Sequence, residues 1–168
     1  MDVRCTSTRA RTPFARAAAL ALMLLMMLPA SAIGVPLASL DIALLVESQG
    51  VGDPLMLVAG QLPEGTELPA EIVLPVPPDS TVVWAGEIVG TAVEDDIEAQ
   101  ARFESREGGD VVVIELTQSL VGQVEVTYPD AVAAIDGATF RAAYRLVVPD
   151  DVEMVRYAIA MPPGAQPS

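Results

Sequence analysis

QARFESR at residues 100–106, EGGD at 107–110 and VVVIEL at 111–116 form the stretch that decides the fold. In the first segment Ala101, Phe103 and Ser105 alternate with Arg102, Glu104 and Arg106. That period of two places successive side chains on opposite faces of a strand. Glu107-Gly108-Gly109-Asp110 supplies the turn chemistry of a hairpin. The return segment sets Val112, Ile114 and Leu116 on the core face with Phe103, and Glu115 outward among the arginines. Strands with one apolar and one polar face belong to an antiparallel sheet packed against a second layer.

The same pattern recurs on both sides of this hairpin. Leu40, Ile42, Leu44 and Val46 alternate with Asp41, Ala43, Leu45 and Glu47, and a turn cluster at 48–54 separates them from the apolar run 55–58. Pro69, Pro75, Pro77 and Pro78 surround Ile72-Val73-Leu74, so a strand there is short or at an edge, because proline cannot donate to a ladder. In TVVWAGE at 81–87 a strict alternation puts Val82 and Trp84 on one face. Trp84 is then expected as a core tryptophan between two sheets, the alternative being a sugar-stacking platform. Gly86 and Gly90 mark a bend or bulge. Val124, Val126 and Tyr128 are predicted inward, as are Phe140, Ala142, Tyr144 and Leu146, with Arg141 and Arg145 outward. A last strand over 153–161 turns Val155, Tyr157 and Ile159 inward.

About seven to nine short strands at roughly ten-residue intervals, punctuated by Gly, Pro and Asp, predict an all-β fold, an antiparallel two-sheet β-sandwich. In outline it resembles an immunoglobulin or fibronectin-type domain, without the disulfide of the former. A small β-barrel is the alternative.

Ahead of these strands, residues 17–32 read AAALALMLLMMLPASA. Arg4, Arg9, Arg11 and Arg16 precede a dozen apolar residues, and Ala30-Ser31-Ala32 offers the small-x-small pattern of a signal peptidase site. The apolar run is short for a membrane span, which needs about 20 residues. The expected organisation is a signal peptide at 1–32, one sandwich domain at 33–161 and a flexible Pro-rich tail at 162–168. The expected location is secreted or extracytoplasmic, with no membrane insertion after cleavage.

Composition then narrows the chemistry. Residues 1–32 hold four of the nine basic and one of the 23 acidic residues, leaving five arginines against 22 acids and a net charge of −17. Such a chain repels nucleic acid and anionic lipid. No Cys, His or Lys follows residue 32, which removes thiol, imidazole and Schiff-base catalysis and thiolate zinc sites. Ser119 lacks the leading glycine of a nucleophile elbow. What remains is carboxylate chemistry, and a paired-acid glycoside hydrolase is the remotest reading.

Hard oxygen ligands make calcium the more specific candidate. Glu94, Asp95, Asp96 and Glu98 are the candidate metal ligands, with Asp150 and Asp151 from another loop. The function expected from sequence is a secreted, non-catalytic module for protein interaction or structure. Its expected partner is another extracellular or envelope protein, met through loops or a strand edge. A calcium-dependent or carbohydrate-binding module is the alternative.

Overall fold

The computed structural model describes residues 35–46, 54–128, 132–134 and 140–161. The expected signal peptide at 1–32 and the expected tail at 162–168 lie outside the described residues, as do most of the 48–54 turn and Pro129-Asp130.

Among the described residues eleven strands and one turn of 3₁₀ helix follow in order: β1 (Ser39–Leu45), β2 (Leu55–Gln61), β3 (Ala70–Pro75), β4 (Thr81–Glu87), the 3₁₀ turn (Val93–Asp95), β5 (Ile97–Glu98), β6 (Ala101–Arg106), β7 (Gly109–Leu116), β8 (Val121–Thr127), β9 (Val132–Ala134), β10 (Phe140–Ala142) and β11 (Met154–Ala160). A six-stranded sheet runs β11-β1-β2-β8-β4-β5, and a three-stranded sheet runs β3-β7-β6. β9 and β10 form a separate two-stranded ribbon. The architecture is two sheets and not a closed barrel. Among the described residues no helix is long and apolar enough to cross a membrane.

The core lies where the alternation places it. Leu40, Ile42 and Leu44 of β1, Met56 and Val58 of β2, Ile72 and Leu74 of β3, Val112, Ile114 and Leu116 of β7, and Val124 and Val126 of β8 are all buried. The hairpin of β6 and β7 pairs Phe103 with Val112 and Arg106 with Gly109. β3 sits at the edge of its sheet, where its flanking prolines interrupt no ladder. Gly60 and Gly122 face each other across β2 and β8. Their missing side chains leave room for Ile72, Leu74 and Leu116 from the opposite sheet.

Four expectations are corrected. The sheet is not wholly antiparallel, because β11 pairs in parallel with β1, Leu40 opposite Val155 and Leu44 opposite Ile159. Tyr157 and Ile159 share the core-side face but are 60 % and 53 % exposed. The sheets meet chiefly through β3 on β2 and β8, and β7 on β4 and β8, so β11 lies beyond the smaller sheet. Phe103 is 47 % exposed for a related reason: it sits on an outer strand, towards the side where β5 has only two residues. Finally, the outward arginines do not turn to Glu115. Arg102 bonds Glu71 at 2.9 Å, and Arg106 bonds Glu104 at 2.7 Å.

The strand expected over 139–147 is shorter than its alternation suggests. Among the described residues of that stretch only Phe140–Ala142 pairs, with β9. The irregular stretch after it still lays Tyr144, Leu146 and Val148 against the core, and leaves Arg145 exposed.

Candidate functional site

One extra residue in β4 creates the site. Val82 pairs with Val126 and Trp84 with Glu125, so two steps along β4 match one along β8 and Val83 is the bulged residue. Beyond the bulge every side chain changes face. Ala85 and Glu87 turn into the sandwich, while Trp84 leaves the core and lies on the outer face with Leu57, Gln123 and Glu125. The expectation of a core tryptophan is therefore overturned by a one-residue bulge.

Trp84 helps to line an open groove of 630 Å³. Leu57 of β2 also lines it, Gln123 and Glu125 come from β8, Asp96 from the C-cap of the 3₁₀ turn and Glu98 from β5. The chain between β4 and that turn completes the lining. Gln123 Nε2 donates to Glu125 Oε1 at 3.2 Å, fixing one carboxylate in the groove. Asp96 Oδ1 is shut off from solvent, and no donor among the described residues reaches it.

Gly86 is the seat of the indole. A Cβ there would lie 2.7 Å and 2.9 Å from two Trp84 ring carbons and would strike the Ile97 carbonyl of β5. Gly86→Val is therefore expected to push the ring outward, red-shift its emission and cost about 1–3 kcal/mol of stability. The chain has one tryptophan, so fluorescence reports this position alone. Unchanged emission in the folded variant would contradict the packing described.

The sequence-predicted metal ligands are only partly brought together. Glu94 and Asp95 are exposed on the 3₁₀ turn, Asp95 folding over Gly90, while Asp96 and Glu98 line the groove. Asp150 and Asp151 form the turn before β11, at the opposite edge of the six-stranded sheet. Four strands separate β11 from β5, a span of about 24 Å at ordinary strand spacing. The two acidic groups therefore do not share one site. Among the described residues, no three Asp, Glu, His or Cys side chains gather closely enough to hold a metal ion.

A second polar cluster escaped the sequence reading. Glu87, 1 % exposed, points inward at the end of β4 and meets the β7–β8 crossover. Its Oε1 accepts from Thr117 N at 2.9 Å and Thr117 Oγ1 at 2.8 Å; its Oε2 accepts from Gln118 N at 2.7 Å and Ser119 N at 2.9 Å. Burial pushes this carboxyl pKa up. The bonds from Gln118, Ser119 and Thr117 outweigh it and hold the group below its ordinary 4.5. Ser119 Oγ donates to the Ile88 carbonyl at 2.6 Å and accepts from Val121 N at 3.0 Å. Its hydroxyl is engaged in building the crossover, and the cluster is structural.

No protein-family model, curated protein or solved structure matches this chain, so the groove and its chemistry carry the functional argument by themselves.

Proposed function

We propose that the chain is an exported, non-catalytic β-sandwich module that binds a partner polypeptide on the outer face of its six-stranded sheet. The observation that carries this reading is the bulge at Val83, which spends the chain's single tryptophan on a groove and not on the core. A large aromatic surface half-buried among an amide and carboxylates suits recognition, because it offers contact area with little conformational entropy to lose. The leader-like residues 1–32 support export, and the lack of Cys, His and Lys beyond them supports a binding role over catalysis. The likeness in outline to immunoglobulin and fibronectin-type sandwiches belongs to the same proposal.

Site-specific photo-crosslinking in intact cells tests it. A crosslinker at Gln123, in the groove, is expected to trap a discrete polypeptide that the same group at Glu115, on the other sheet, does not trap. The recovered protein is expected to begin near Ile33 and to fractionate outside the cytosol. Equal trapping from both positions, or an intact N-terminus on cytosolic protein, overturns the proposal.

A further inference from the structure

We infer that the groove over Trp84 receives a cationic guanidinium group, carried as an arginine side chain on the partner polypeptide. This rests on the groove being the ligand site and adds the ligand's chemistry.

Charge is the first argument. The titratable residues lining the groove are Asp96, Glu98 and Glu125, and no arginine lines it. On the same sheet Arg156 of β11 is bound to Asp41, its Nη2 lying 2.6 Å from Oδ2. Three carboxylates around one depression repel each other until a cation enters. The net charge of −17 over residues 33–168 steers such a cation inward.

Geometry is the second. β4 lies between β8 and β5; Trp84 stands opposite Glu125 on one neighbour, and Glu98 on the other stands opposite Gly86, against which the indole ring lies. An indole face attracts a cation through its quadrupole. A guanidinium stacks flat on such a ring while directing N–H donors outward in its own plane, which is where flanking carboxylates can accept them.

Other occupants fit less well. Calcium takes six to eight oxygens converging on a point, whereas these carboxylates surround an apolar ring without forming a metal-sized cluster. A neutral sugar would stack on the indole but would leave the three charges uncompensated.

Emission from Trp84 provides the test. The purified protein at low ionic strength is titrated with four probes: a blocked tri-arginine peptide, its uncharged tri-citrulline isostere, calcium chloride and cellohexaose. Tri-arginine is expected to give a saturable change, and tri-citrulline to bind at least about tenfold more weakly. Glu125→Gln and Asp96→Asn are each expected to weaken tri-arginine binding by about three- to tenfold with the thermal transition retained. Equal responses to arginine and citrulline, or a response to calcium or cellohexaose alone, overturn the cationic assignment. Silence to all four probes also overturns it. The groove as partner site survives those results if Gln123 crosslinks, and falls with them if it does not.

Discussion

Glu87→Ala is expected to lower the free energy of unfolding by about 3–5 kcal/mol, read from the urea midpoint at unchanged slope. The carboxylate accepts from three consecutive backbone N–H groups and one hydroxyl, at residues 117–119 where the chain passes from the smaller sheet to the larger. Alanine removes every acceptor at once. Each buried donor left without a partner costs about 1–3 kcal/mol, and water entering the loop recovers part of the sum. Glu87→Gln keeps the shape and one acceptor oxygen but turns an amide N–H₂ towards donors, so its cost is smaller, about 2–3 kcal/mol. A loss below about 0.5 kcal/mol for the alanine variant, the range of an ordinary surface substitution, would show that the crossover is held by something else.

The same carboxylate sets a pH dependence with a definite sign. Its folded pKa lies below its unfolded value, so on acidification the unfolded chain takes up the proton first and stability falls. The contribution is complete above the unfolded pKa of about 4.3 and is lost as the pH drops through the folded value. Glu87→Gln cannot titrate at this position. The stability gap between parent and variant is therefore widest at neutral pH and narrows as the pH falls from the unfolded value through the folded one. Because the other acidic groups titrate in both proteins, comparing the two isolates Glu87. A gap that stays constant down to pH 3 would mean that this carboxyl has no depressed pKa.

One local slip explains most of what the sequence concealed. β1, β7 and β8 were legible because each pairs without a register shift and the core covers one face: Leu40, Ile42 and Leu44, Val112 and Ile114, Val124 and Val126 are buried as read. In β4 the same rule sets Val82 and Trp84 on one inward face, and the bulge at Val83 reverses it from Trp84 onward. That reversal hid the groove tryptophan and the buried Glu87 together. The run of four apolar residues Val82-Val83-Trp84-Ala85 gave no warning, because Val111-Val112-Val113-Ile114 in β7 is an equal run that pairs without a slip. Tyr157, Ile159 and Phe103 failed differently. Their face was read correctly, but exposure depends on whether another strand lies opposite, and the unequal widths of the two sheets are not written in any local pattern. The parallel pairing of β11 with β1 joins residues more than 100 positions apart, and periodicity holds no information about partners at that distance.

Ile72 and Gly122 are expected to behave as one unit in a double-mutant cycle. A Cβ on Gly122 would lie 2.8 Å from Ile72 Cγ2 and 3.1 Å from Leu116 Cδ2. Gly122→Ala therefore overpacks the contact between sheets, at an expected cost of about 1–3 kcal/mol. Ile72 is fully buried and reaches both Gly122 and Gly60, so Ile72→Ala opens a cavity and costs about 2–5 kcal/mol. In the double variant the new methyl meets no Ile72 Cγ2 and takes up part of the space that isoleucine vacated. The combined loss should fall short of the sum of the two singles by about 1–2 kcal/mol. The glycine is thus space left for a particular neighbour and not a flexible joint, a distinction that only the cycle reveals, since either single variant would be destabilised on both accounts. Strict additivity would place the two residues out of contact and contradict the packing of β3 on β8.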